Sequence, residues 1–269
     1  MDINIGRIFK SSFLTAVLTV LLAGTVSAQS GHYQPGSNGM NSAALPQARV
    51  HGFKSLTGLY LTTEYARDDG SLGGINADIE VLFGSIRYRF MSGWKLLGGN
   101  YGFAFDFIFA EADFNTPNPD IQDGPVGVGD PGVSPVLLGW ESGRLHWMFE
   151  YTFFIPVGRY EVDAVDNVGN GHWSHLFSLG GTGYIGADDT WSGTLIARYE
   201  LNMKLEDRDL KPGDDIILEA AFGKRLWGIF DLGAVGYGVW QVTDHSGSAV
   251  TPENQGMRSS VMAAGIELA

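Results

Sequence analysis

Residues 144–157, RLHWMFEYTFFIPV, alternate with a period of two. Leu145, Trp147, Phe149, Tyr151, Phe153, Ile155 and Val157 share one parity, and Arg144, His146, Glu150 and Thr152 share the other. Successive side chains of a strand point to opposite faces, so this segment is expected to be a strand with an apolar medium on one side and water on the other. Residues 191–204 repeat the pattern, with Trp191, Leu195, Ala197, Tyr199, Leu201 and Met203 opposing Ser192, Thr194, Arg198, Glu200, Asn202 and Lys204. In residues 101–110 five aromatics, Tyr101, Phe103, Phe105, Phe107 and Phe109, stand against mostly small residues and Asp106.

Further candidates at 56–66, 77–90, 126–140, 173–185, 214–223, 229–242 and 258–269 bring the total to about ten strands. Within 77–90 the apolar parity changes near Gly84, from Ile79, Val81 and Phe83 to Ile86, Tyr88 and Phe90, which predicts a β-bulge at that glycine. The connections alternate in length. Those around 141–143, 186–189 and 224–228 are short, whereas those after the first, third, fifth, seventh and ninth strands are long and polar. Outer-membrane barrels have short periplasmic turns and longer external loops.

A soluble β-sandwich would also alternate, burying the same aromatics against a second sheet. Three features favour a barrel in lipid. The two cleanest strands run well past the 5 or 6 residues of an ordinary strand and past the roughly 9 to 11 needed to cross a bilayer. Trp147 and Trp191 sit near hairpin turns, where an interfacial girdle would place them. No helical period offers a cap for a sheet. The expected fold is therefore all-β, an antiparallel transmembrane β-barrel over residues 56–269.

The N-terminus adds a compartment. Arg7 and Lys10 precede an apolar run, 13–24, that ends in Val26-Ser27-Ala28. This order describes a secretory signal peptide over residues 1–28, cleaved after Ala28. The apolar run is short of the roughly 20 residues of a spanning helix. Residues 29–55, rich in Gly, Ser, Asn and Pro, are expected to be a flexible leader. Export and a barrel together place the mature chain in the outer membrane of a Gram-negative bacterium, with outer-membrane lipid as its surroundings.

Composition narrows the partners. The chain of 269 residues carries a net charge of −13, which becomes −14 once Asp2, Arg7 and Lys10 leave with the signal. Nucleic acid is disfavoured, because phosphate binding needs a basic patch. The absence of cysteine means that export is not used to build disulfides. Mean hydropathy is +0.01, as expected when apolar residues alternate rather than cluster.

Three motifs bear on chemistry. Residues 127–132 match G-x-G-x-x-G, but Pro131 and Pro135 prevent the helix that a dinucleotide site requires. His172-Trp173-Ser174-His175 offers a nucleophile and a base without a carboxylate at strand spacing to complete a triad; a loop-to-strand junction explains it more simply. Asp163, Asp166 and Asn167 do not have EF-hand spacing and read as a solvated acidic loop. No cofactor and no metal ligand set is expected. The better functional candidates are the polar positions that would face a lumen: Asp106, Arg144, His146, Glu150, Arg198, Glu200, Asn202 and Glu219. Turning an Arg to lipid near the midplane would cost roughly 2 to 4 kcal/mol. Pore lining and structural plug are both open for these residues.

The spaced residues Gly31-His32-Tyr33 with Pro35-Gly36, Leu45-Pro46, Gly58-Leu59-Tyr60, Gly98-Gly99 with Tyr101-Gly102, and Gly129-Asp130 with Pro135 resemble the outer-membrane proteins linked to the meta pathway of phenol degradation. Leu138-Gly139-Trp140, Pro156 with Gly158 and Tyr160, Tyr199 with Asn202, and Gly236-Tyr237 with Gln241, Thr243 and Asp244 extend the resemblance over nearly the whole mature chain. It implies an outer-membrane barrel that admits small hydrophobic or aromatic compounds passively, and it supplies no catalytic residues. The alternatives are a non-conducting structural or adhesive barrel and a barrel-embedded lipid hydrolase. The full family pattern implies twelve strands, whereas this chain stops at Ala269 without a terminal aromatic, so the barrel is either smaller or truncated.

Overall fold

In the computed structural model ten long strands form one antiparallel meander: β1 (Val50–Thr62), β2 (Asp78–Leu96), β3 (Gly99–Asn115), β4 (Gly132–Ser142), β5 (Leu145–Phe154), β6 (His172–Ile185), β7 (Trp191–Leu205), β8 (Asp215–Leu226), β9 (Phe230–Gln241) and β10 (Ser260–Leu268). The structure describes residues 12–15, 18–23, 31–46, 48–62, 65–66, 72–73, 78–115, 126–162, 164, 167–186, 188–252 and 255–269. Each long strand pairs with its neighbours in sequence. Among the described residues there is no helix. The fold is an all-β antiparallel barrel of the membrane-spanning type.

The turns explain the meander. Leu97-Gly98 and Trp227-Gly228 both have positive φ at their two central positions, the mark of a type I′ hairpin whose twist matches that of the flanking strands. These turns, with 143–144 and 186–190, lie at one end of the barrel. The long connections lie at the other.

The alternation maps onto two surfaces. Phe105, Phe107, Phe109, Trp147, Phe177, Leu179, Leu195, Leu218, Phe222, Met262 and Ile266 all face outward and are exposed. Such a continuous apolar belt is stable only against an apolar medium. The opposite parity is buried inside, as in β7, where Thr194, Ile196, Arg198, Glu200 and Asn202 are covered while Leu195 and Tyr199 are exposed.

The bulge expected at Gly84 does not form. The pairings of β2 with β1 and β3 run unbroken through Gly84, and the irregularity falls between Met91 and Lys95. Glycine there answers a close approach: the Phe109 ring occupies the space a Cβ would need. Phe83 likewise lies over Gly58, on the inner face. The change of parity in the sequence thus records an interior that becomes apolar toward the long-loop end.

The first wall strand begins at Val50, within the segment expected as leader, and Tyr65–Ala66 belongs to a separate two-strand pair with Leu72–Gly73. Ser12–Thr15 runs parallel along the edge of β1, and Leu18–Ala23 antiparallel along β10. Both lie in the stretch expected to leave as signal peptide.

Candidate functional site: the leader-filled lumen

Residues 31–46, expected as flexible, run inside the barrel. His32 stacks on Phe154 at the long-loop end, with ring centroids 5.1 Å apart. Ala43 packs on Met148 and Ile196 further down, and Leu45 lies against Gly139. A turn-rich segment has no ladder of its own, so its amides need other acceptors. Three wall carboxylates supply them. Glu200 accepts the His32 amide at 2.7 Å and the Tyr33 amide at 3.3 Å, Glu219 accepts the Gly36 amide at 2.8 Å, and Glu267 accepts the Met40 amide at 2.8 Å. A side chain at Gly31 would collide with the Glu200 carboxylate, so glycine permits this approach.

The upper anchor is a buried chain of hydrogen bonds. His32 Nε2 lies 2.9 Å from Asp130 Oδ2, its Nδ1 2.9 Å from Ser174 Oγ, and Ser174 Oγ donates to Glu200 Oε1 at 2.8 Å. Burial alone would lower the His32 pKa, but its bonds to Asp130 and Glu200 outweigh that and raise it above the ordinary value. Burial alone would raise that of Asp130, but the bonds from His32 and from the Asn170 and Gly158 amides hold it below the usual carboxylate range. With the imidazole protonated, both ring nitrogens donate and the Ser174 proton goes to Glu200, so every group in the chain is satisfied. The serine is fully buried. The arrangement holds the leader.

A second anchor centres on Tyr33. Its hydroxyl donates to Glu219 Oε2 at 2.6 Å and accepts from Asn38 Nδ2 at 2.7 Å, while Arg198 lies 4.4 Å over its ring. Burial pushes the phenol pKa up, which keeps it a neutral donor. Arg198 Nη2 also bonds Glu219 at 2.8 Å. Across the lumen Arg87 bridges Asp106, at 3.2 Å, and Glu150.

Between the anchors one side of the interior is apolar. Phe154, Leu176, Ile217, Val239 and Val261, contributed by five strands, form one buried cluster with Tyr33, and Ile108 packs against it. Toward the short turns, the space between the leader and the wall opens into a cavity of about 500 Å³.

The residues singled out in the sequence divide as follows. Asp106 and Glu150 meet through Arg87, and Arg198 and Glu219 meet under Tyr33. Glu200 belongs to the His32 anchor, and Asn202 bonds His172 Nε2 at 3.2 Å and the Gly213 carbonyl at 2.7 Å. His146 stands apart, edge-on to Tyr184. Arg144 lies in the β4–β5 turn, half exposed, with its Nε 2.8 Å from Asp189. His172 and His175 do not bond Ser174; His175 is 2.8 Å from the Tyr151 hydroxyl. Sequence reasoning missed His32, which meets Ser174 directly, and Asp130, which meets it through His32. It also missed Arg87, hidden in a strand whose parity looked broken. Residues 127–132 form no helix, and Asp163 and Asp166 lie outside the described residues. The side chain of Asn167 bonds the backbone of Glu161. Among the described residues no three His, Cys, Asp or Glu side chains are grouped to hold a metal.

Fold and lumen together define a membrane-spanning β-barrel whose interior is occupied by its own N-terminal leader. Residues 63–269 match the family described as "Putative MetA-pathway of phenol degradation", and the chain belongs to that family. Among solved structures, an outer membrane channel from Pseudomonas putida F1 is similar to it, with a TM-score of 0.64 and 12% identity over 84% of this chain and 97% of that one. No curated protein matches the sequence.

Proposed function

We propose that this protein is an outer-membrane barrel through which small, mainly hydrophobic or aromatic compounds pass passively, following export and removal of residues 1–28. The observation that carries this reading is the apolar cluster of Phe154, Leu176, Ile217, Val239 and Val261 inside the lumen. A water-filled porin has a polar interior. An apolar belt instead disfavours hydrated solutes and costs a hydrophobic one little to cross. The family's description and the likeness to an outer membrane channel support the same reading. Passage breaks no bond and asks for no cofactor. Selection falls to the belt and to the charges around Arg87 and Arg198.

A second reading, a non-conducting structural or adhesive barrel, is favoured by one observation: the leader occupies the lumen and hangs on three wall carboxylates. Uptake of a labelled aromatic compound into vesicles containing the purified protein separates the two. Uptake above that of empty vesicles supports passage; no uptake and no conductance above bare lipid would leave the structural barrel.

A further inference from the structure

We propose that the cavity below the leader binds an anionic group, and that the cargo it suits is an aromatic carboxylate rather than a neutral hydrocarbon. This rests on the reading of the lumen as a path for small aromatic compounds and specifies their class. The chain is acidic overall, at −13, yet Lys54, Arg87, Arg89 and Arg198 all line this one cavity of about 500 Å³. Lys54 lies opposite Arg87 in the register of β1 and β2, and Arg89 lies two residues further along the same inner face.

The carboxylates of the lumen are already engaged. Glu150 and Asp106 take Arg87, Glu219 takes Arg198 and the leader, Glu267 takes the Met40 amide, and Asp231 takes Arg225. The side chains of the lining left without a carboxylate partner are basic. Among the described residues Arg89 has no hydrogen-bond or ion-pair partner, and Lys54 bonds only the Ser37 carbonyl of the leader. Arg198, almost fully buried, keeps its Nε–H without an acceptor. A buried donor without an acceptor costs stability, and a guanidinium fork is matched by the two oxygens of a carboxylate. Met40, Leu45 and Met148 on the same cavity wall give an aromatic ring an apolar surface beside that charge.

The two features ask for one molecule with a ring and a carboxylate. The Arg89 guanidinium holds the carboxylate from the wall, Lys54 adds a second positive charge, and the ring lies toward Met148. No bond is made or broken in this binding.

The test compares benzoate with benzyl alcohol, close in size and differing in charge, by titration calorimetry on the full-length protein in non-ionic detergent at matched ionic strength. The expected result is saturable benzoate binding at least about tenfold tighter than benzyl alcohol, weakened by added salt. R89Q and K54M should each lose about tenfold for benzoate and leave benzyl alcohol unchanged. Equal affinity for the two compounds, or variants that bind benzoate like the parent, would overturn the site. If R89Q fails to give the folded band on an unheated gel, R89K and K54M replace it, with R89K expected to keep most of the affinity. Binding is read without transport: benzoate bound but no aromatic taken up by vesicles would fail the channel and leave the site, and uptake of neutral aromatics without benzoate binding would do the reverse.

Discussion

Glu200 is the residue on which the leader depends most, because one carboxylate accepts two leader amides and the Ser174 hydroxyl. Hydrogen bonds to a charged group are each worth about 1.5 to 3 kcal/mol. E200Q is therefore expected to lower the exchange protection of the His32 and Tyr33 amides by roughly ten- to a hundredfold, with the wall strands unaffected. Hydrogen exchange read by mass spectrometry checks this; unchanged protection would mean that the leader is held elsewhere. The anchor also titrates. The His32 pKa is raised above its reference of 6.5, so its contribution is complete below that reference and is lost as pH rises through the folded value. The Asp130 pKa is lowered, so its contribution is present above its reference of 3.8 and is lost as pH falls through the folded value. A spin label at N38C should be immobile at and below that reference and gain mobility as pH rises through the folded value of His32. H32Q should remove that step; a label whose mobility ignores both pH and H32Q would contradict the anchor.

At the scale of the element, the alternation in residues 144–157 and 191–204 translated directly into β5 and β7, because lipid on one side and a packed lumen on the other impose the same period of two. The outward face makes a sharp prediction. Leu179 stands exposed at the middle of β6, and L179R should cost about 2 to 4 kcal/mol in reversible urea unfolding from phospholipid vesicles. A neutral outcome would place that face in water. Less was legible where bonds are distant. His32 meets Ser174 across 142 positions, and the leader amides find their acceptors on β7, β8 and β10, so no local period could announce residues 31–46 as ordered. Gly84 misled for a related reason. A parity change reads as a bulge only if the interior is uniform, and here the interior itself turns from charged, at Arg87 and Arg89, to apolar, at Val81 and Phe83.

On the scale of the whole molecule the lumen has two unlike sides. The acidic residues of β7, β8 and β10 grip the leader backbone, whereas β1 and β2 present Lys54, Arg87 and Arg89 to the cavity. The leader is thus an insert whose backbone amides hang on β7, β8 and β10 while its side chains pack on β4 and β5. Deleting residues 31–46 should leave a folded barrel, recognised by its heat-modifiable migration, with single-channel conductance above that of the parent. The apolar belt should still set what passes. The most direct test of that belt is the flux of two labelled solutes of similar size, an aromatic hydrocarbon and a sugar, into vesicles whose outer leaflet is lipopolysaccharide and which carry the intact protein. The aromatic is expected to enter faster than into protein-free vesicles while the sugar does not; a sugar flux equal to or above that of the aromatic, or an aromatic flux unchanged by the protein, would contradict a hydrophobic path through this barrel.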